Sequence, residues 1–337
     1  MKILVVGDPH FKLEWPYGDL IADGRRAERA SVLAAIHTAA QDCDAVIAMG
    51  DNLDKKHNNS TVIKEFMDFL EGLGDKTIYI ISGNHETYDG NKTALDFLRG
   101  VKKNWRLITP RDGVVIEDNI GFIPYMTNAA LGVSTHEEGA EKIMEALETP
   151  RKLDAVFIHH MVSGTFPIEG VNEIVLPRER LEGQAKLVVA GHIHGAKSVG
   201  RTLMTGNIFT HEVGETEKFV WKIDTKDGTY ERISLPVRPI YKIFDPHSQE
   251  LDTLPANAIV KVILTEKDLN VDAIKKALER FDAHILVESY PNERTRMHVE
   301  EGQTLDLSID SLLDLYAKAK GKDAGRLKKA LKIVTET

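Results

Sequence analysis

The chain has 337 residues, enough for a sizeable core and for one large domain or two or three smaller ones. With 42% hydrophobic and 28% charged residues, no low-complexity segment and no apolar run near the length of a membrane span, it reads as a globular protein rather than a disordered, fibrous or membrane-spanning one. Its one cysteine, Cys43, excludes an internal disulfide and a thiolate metal cluster, and its net charge of −9 argues against a broadly basic nucleic-acid coat while leaving room for a local basic groove.

In chain order, "KILVVG" opens as a buried strand from residue 2, so no leader is expected and a cytoplasmic location is. "RRAERASVLAAIHTAAQ" reads as a helix, "DAVIAMG" as a strand beside which Cys43 is expected in the core, "STVIKEFMDFLEGL" as an amphipathic helix and "KTIYIIS" as a strand. "TALDFLRG" is expected to be helical. Short strands follow in "VVIEDNIGFIPY", then the helix "HEEGAEKIMEALE", the strand "DAVFIH", a long irregular stretch, the strand "KLVVAG", and the β-rich "KFVWKID" and "TYERISL". This alternation implies a layered α/β domain with a second sheet packed on the first. "PVRPIYKIFDPHSQELDTLP" has four prolines in twenty residues and marks a boundary. Beyond it "AIVKVILTE", "NVDAIKKALERF" and "AHILVESY" form a small β-α-β unit, and from Ser308 on the chain reads as two helices with a basic finish. Three segments result: 1–235, 236–304 and 305–337.

Polar residues follow successive apolar strands. "GDPH" gives Asp8 and His10, "GDNLD" gives Asp51 and Asp54, "GNHE" gives Asn84 and His85, "FIHH" gives His159 and His160, and "GHIH" gives His192 and His194. Strands running the same way would gather these groups at one edge, where open α/β sheets hold ligands. Each motif alone has an ordinary reading: a turn for Asp-Pro-His, a helix cap for Asn84, hydrogen-bonded loop residues for the histidines. Their joint occurrence, each after a strand, outweighs those readings. Carboxylates, an amide oxygen and imidazoles without thiolate suit Mn, Fe or Zn. With seven good donors the set fits two ions, about 3.5–4 Å apart in such sites.

The five blocks resemble the signature of the calcineurin-like metallophosphoesterase superfamily over residues 7–194. The resemblance implies a two-sheet α/β/β/α sandwich and phosphoester hydrolysis with two divalent ions, Mn2+ being the favoured metal. It also implies that Asp8, His10, Asp51 and His194 hold one ion and that Asp51, Asn84, His159 and His192 hold the other. His159 is preferred to His160 because it comes first after the strand; His160 is expected to line the pocket. His85 stays off the metals as proton donor to the leaving alkoxide, with Asp54 as its anionic partner.

After "GHIH", the stretch "GAKSVGRTLMTGNIFTHEVGETEKFVWKID" is similar to the one found in SbcD-type recombination and repair nucleases. Gly206 and Gly214-Glu215 match, and Asn207-Ile208 stands where those nucleases have Ser/Thr-Pro. The likeness implies that 236–304 is a small DNA-capping domain and that the chain is compact in the manner of viral members, acting then in the host cytoplasm. It also implies a homodimer and a coiled-coil partner, an SMC-like ATPase of the ABC type. The helical tail 305–337 would dock that ATPase; it carries seven basic residues from Lys318 to Lys332 and an apolar face of Leu327, Leu331 and Val334. Lys12, Trp15 and Tyr17 beside the first motif, and Lys55 and Lys56 with His57 past the second, are candidate DNA contacts by stacking and phosphate pairing, although a packed loop and a solvated turn are equally good readings. Two rival functions stay open: a phosphodiesterase acting on nucleotides or other small esters, and a non-catalytic scaffold of the same fold.

Overall fold

The computed structural model describes residues 1–88, 90–167, 171–289 and 325. Apart from Gly325, the expected tail 305–337 lies outside the described residues, as does 290–304 of the expected cap. In chain order the elements are β1 (Lys2–Val6), α1 (Arg26–Ala40), β2 (Ala45–Ala48), α2 (Ser60–Gly72), β3 (Thr77–Ile81), β4 (Trp105–Ile108), β5 (Val115–Glu117), β6 (Ile120–Ile123), α3 (Asn128–Leu131) and α4 (His136–Leu147). Next come β7 (Leu153–Ile158), β8 (Met161–Val162), β9 (Val175–Leu176), α5 (Arg178–Gln184), β10 (Ala185–Ala190), β11 (Lys197–Val199) and β12 (Thr202–Met204). The remainder is β13 (Phe219–Asp224), β14 (Thr229–Ser234), β15 (Ile240–Phe244), α6 (Ser248–Leu251), β16 (Ile259–Leu264), α7 (Val271–Leu278) and β17 (Ala283–Glu288).

Two six-stranded sheets, ordered β14-β13-β1-β2-β3-β4 and β11-β12-β10-β7-β6-β5, face each other. In the first, β1 to β4 run parallel; in the second, β12, β10, β7 and β6 do. The strands are apolar on both faces because both faces are covered. Between the sheets, Val5, Ile47 and Ile81 meet Phe122, Phe157 and Val189. The outer face of the first sheet packs Leu4, Val46 and Ile80 on Val32 and Ile36 of α1 and Phe66 and Phe69 of α2. The outer face of the second packs Val156, Ile158 and Val188 on Ile143 and Leu147 of α4 and Leu181 of α5. The result is the two packed sheets that the sequence pattern anticipates, in the α/β/β/α sandwich that the resemblance implies. No helix among the described residues is long and apolar enough to cross a membrane.

Local signals explain the element ends. Asn59 caps α2 by accepting from Val62 N at 3.0 Å, and Thr135 with Glu138 closes a capping box on α4. Asp118 and Asn119, both with positive φ, turn β5 into β6. "TALDFLRG" departs from expectation: it holds only the short 3-10 turn Asp96–Leu98, because Leu95 and Leu98 are both buried while the Asp96 carboxylate takes Thr93 N, which tightens the turn instead of propagating it. The stretch expected to be irregular after β7 contains β8, β9 and α5. Cys43 is buried, as expected.

The described residues divide into two compact units, one of Met1–Lys242, Thr253–Lys261 and Leu278–Ile285, the other including Ile243–Asp252, Val262–Ala277 and 286–289. The first unit holds both six-stranded sheets. A smaller sheet is ordered β15-β16-β17, with α7 following β16. In the second unit the Asp245 carboxylate accepts from the backbone of Thr265 and Glu266 and from the Thr265 hydroxyl.

Phe157 is fully buried between the sheets and stacks on Phe122 with ring centroids 5.8 Å apart. Phe157→Ala is expected to cost about 3–5 kcal/mol of stability, read from urea unfolding followed by tryptophan fluorescence.

Candidate metal centre

The five motifs sit just past β1, β2, β3, β7 and β10, all at the carboxyl ends of parallel strands in their sheets. Among the described residues three overlapping groups of donor atoms result, each with its ligand atoms within 4.8 Å of one another: Asp8, His10 and His194; His10, Asp51 and His85; Asp51, His159 and His192. Asp51 lies between the two halves. Its Oδ1 is 3.4 Å from His159 Nε2 and accepts from His85 N at 2.9 Å, while its Oδ2 is 3.8 Å from His10 Nε2.

The polarity of each atom follows from its other contacts. His159 Nδ1 lies 2.7 Å from the Met49 carbonyl, which can only accept, so one proton stays on Nδ1 and Nε2 is the atom that faces Asp51 and Asn84, carrying a proton in the metal-free protein and free to offer a lone pair where a cation would replace it. His192 Nε2 donates to Glu173 Oε1 at 2.9 Å, which leaves Nδ1 with a lone pair 2.9 Å from Asn84 Oδ1. His10 Nε2 and His194 Nε2 face each other at 3.0 Å. The Asn84 amide meets these acceptors through its oxygen, or through its NH2 group if turned over; a cation at the centre selects the oxygen.

Two further observations say that the cluster calls for positive charge. Both carboxylate oxygens of fully buried Asp8 lack a hydrogen-bond partner and Oδ1 meets the His159 ring only at 3.8 Å, and a buried carboxylate so weakly paired is disfavoured by several kcal/mol. Burial accordingly pushes the Asp8 carboxyl well above the usual range against the pull of His159. For His159 burial acts downward, yet Asp51 and then Asp8 prevail and hold it up at about 10. Burial lowers His10 to about 3, so its imidazole is neutral and able to ligate. These donors fit divalent ions bound through oxygen and nitrogen.

Such crowding places demands on the backbone. Asp8, His10, Asp51 and His192 all have positive φ, a conformation that non-glycine residues adopt rarely and that tends to be held where function requires it. A Cβ on Gly50 would fall under 3.0 Å from the His159 ring, and one on Gly83 under 3.0 Å from the Asp51 carboxylate and backbone. Each of these motif glycines is thus the room that another motif's ligand occupies. Glu86, the last residue of "GNHE", is wholly buried and bolts two loops together, accepting from Gly83 N at 2.8 Å and Leu53 N at 2.9 Å.

Of the remaining sequence candidates, His160 lies outside the cluster: its Nε2 accepts from Met126 N at 3.0 Å and its ring stacks on Tyr125. Asp54 requires a correction. The group that holds His85 is its backbone carbonyl, 2.7 Å from Nδ1, while its carboxylate sits on Lys12 Nζ at 2.6 Å and 3.7 Å from His10 Nδ1. Trp15 also requires one. It is buried, edge-on to Phe209 and beneath the Arg29 guanidinium at 4.9 Å, so its face is taken and no base can stack on it. Tyr17 is half-buried against Ile21, Ile240 and Ile259 rather than open to a ligand. Lys55 and Lys56 are exposed. Sequence reasoning missed Glu173, which lies in the stretch that showed no periodicity; it quoted Tyr125, at the end of "VVIEDNIGFIPY", and Glu86 without weighing them.

The model of the calcineurin-like phosphoesterase family, Metallophos, matches residues 1–196. The chain belongs to that family. It is therefore a phosphoester hydrolase by family, and the metal-binding donor set described above is the one its strands present. A search of curated proteins returns no match to this phosphoesterase. Among solved structures, TT1561 of Thermus thermophilus is 15% identical over 69% of this chain and 98% of its own, with a TM-score of 0.42. A novel archaeal phosphodiesterase is 16% identical, covering 70% and 100%, at 0.35. A single mutant of Vps29 from Entamoeba histolytica is 12% identical, covering 70% and 99%, at 0.30.

Gly83→Ala in this phosphoesterase should displace Asp51 and lower cleavage of a chromogenic diester by about 10²-fold, since misplacement by about 1 Å has that effect. Gly183→Ala, where nothing lies within 4 Å of the new methyl group, should leave the rate unchanged and stability equal or higher by up to about 1 kcal/mol. Asp54→Asn should preserve the carbonyl bond to His85 and hence the rate within about threefold, because what changes is the Lys12 pair and the 3.7 Å approach to His10 Nδ1; a loss on the order of 10²-fold with Mn2+ binding retained would restore the carboxylate as the partner of His85.

Proposed function

We propose that the chain is a metal-dependent DNA nuclease of the SbcD type, cleaving backbone phosphodiesters. The observation that carries this reading is the segment after the last metal motif. There Gly206 takes a positive φ, with room for no side chain against the His194 carbonyl, and Gly214-Glu215 folds back so that the Glu215 carboxylate takes His211 N and Lys218 Nζ beside His194. These are the positions at which the sequence is similar to that nuclease group.

Asp8, His10, Asp51 and His194 would hold one divalent ion, and Asp51, Asn84, His159 and His192 the other, with Mn2+ the favoured metal. Bound ions supply an acidified water and neutralise the phosphoryl oxygens. The protein's own residues fix the donors in place and furnish the proton. His85 Nδ1 is held by the Asp54 carbonyl, so Nε2, 3.9 Å from Asp51 Oδ2 in a side chain 40% exposed, is the atom free to protonate a leaving alkoxide. Lys55 and Lys56 are placed for backbone phosphates. An SMC-like, ABC-type ATPase, a homodimer and a cytoplasmic setting complete the reading.

A second reading, a phosphodiesterase for small nucleotides or other small esters, is favoured by Lys12 being neutralised by Asp54 and Trp15 being buried, which thins the polynucleotide-binding side of the site. Incubating the full chain with Mn2+ and end-labelled single-stranded or duplex DNA separates the two. Cleavage that weakens steeply with salt supports the nuclease. Cleavage of a chromogenic diester with none of DNA supports the alternative. In either case His85→Asn should lower turnover by about 10²–10⁴ while Mn2+ binding by calorimetry is retained. Deleting residues 305–337 should abolish association with the ATPase and leave cleavage of short substrates intact; unchanged association dismisses the docking role.

A further inference from the structure

His192 is the histidine of the cluster, among the described residues, whose outward nitrogen lies within hydrogen-bond distance of a carboxylate. Glu173 Oε1 stands 2.9 Å from His192 Nε2, whereas His159 turns its outward nitrogen to a backbone carbonyl. An ionised carboxylate only accepts, so the proton is fixed on Nε2 and the lone pair on Nδ1, the atom that faces Asn84. The negative charge behind the ring also makes Nδ1 more basic toward a cation.

Glu173 is itself held. Burial and then the nearby Glu173 charge push the Tyr125 hydroxyl up to about 12, and the Tyr125 ring stacks on His160 at 5.1 Å and lies 6.2 Å from the His192 ring. On one side Ile174 is buried in the core of the second sheet, fitted against Gly139 of α4 so closely that a Cβ there would come within 2.6 Å of it. On the other, the Asn172 side chain bonds His136. The Glu173 side chain is 21% exposed, so the position is shielded yet not sealed.

We propose that Glu173, steadied by Tyr125, is a positioning residue that locks the tautomer and orientation of His192 and so sets the metal affinity of the Asp51–Asn84–His159–His192 half of the site. The inference rests on the metal assignment made above and is independent of whether the ester cleaved is DNA. It gives the two halves of the centre unequal affinities, with the half backed by Glu173 the tighter.

The test is calorimetric titration of the full-length chain, stripped of metal, with Mn2+, for the unsubstituted protein and for Glu173→Ala, Glu173→Gln and Tyr125→Phe, with the thermal midpoint of each metal-free protein measured alongside. Glu173→Ala should weaken one of two binding events by about 10–100-fold and leave the other alone. Glu173→Gln keeps the shape without the charge and should fall between, and Tyr125→Phe should produce a smaller loss in the same event. Unchanged metal-free midpoints with that one-event loss support the inference. Two intact events in Glu173→Ala overturn it alone, as does loss of both events in step with a lowered midpoint in Glu173→Gln as well as Glu173→Ala. No Mn2+ binding by the unsubstituted chain overturns the metal centre and this inference with it.

Discussion

Seven side chains of this protein aim donor atoms at one small volume, and groups of that kind, once stripped of protons, repel one another. The whole arrangement depends on something positive at the centre to reverse that repulsion. Without it the interior would hold Asp8 with two unpartnered oxygens and an Asn84 amide set among acceptors. The raised affinity of His159 for a proton reports the same demand from the side of the carboxylates. A divalent cation answers it more fully than a proton because it takes several donors at once.

The fold meets the constraint by confronting two sheets whose parallel strands end at one rim. Strand ends bring the donors near, and close approach does the rest. Gly50 and Gly83 leave the space that His159 and Asp51 fill, and positive φ at Asp8, His10, Asp51 and His192 turns each side chain back toward the centre. A further layer then holds the loops: Glu86 ties two of them, Asp54 pairs with Lys12, and Glu173 braces His192. The strain concentrated at the rim is sustained by the apolar packing between and outside the sheets.

Chemistry and recognition separate clearly in this site. The hydrolytic apparatus is dense and internally consistent, whereas the surroundings that would grip a long anionic polymer are sparse. The aromatic expected to stack on a base is engaged with Phe209 and Arg29, and one of the three lysines near the motifs is committed to a carboxylate. Family membership fixes the class of bond broken; the identity of the ester is argued from the segment that follows "GHIH" and from the charge that remains exposed at Lys55 and Lys56.

The sequence alone determined the layers and the donor set, because buried strands write themselves as short apolar runs and ligands at strand ends follow those runs directly. Ten strand-end residues could be gathered that way, from which the family resemblance took Asp8, His10, Asp51, Asn84, His159, His192 and His194 as ligands, and the helices over residues 26–40, 60–72 and 136–147 followed from periodicity. Only the tertiary structure decided what holds the donors. Whether Asp54 offers its carboxylate or its carbonyl depends on how one turn meets Phe11, since Asp54 N bonds the Phe11 carbonyl. That Trp15 is covered depends on residues far along the chain, and that Glu173 backs His192 depends on where a non-periodic stretch crosses the rim. Local pattern encodes burial and chain direction, but a contact between residues distant in sequence leaves no periodic trace in either partner.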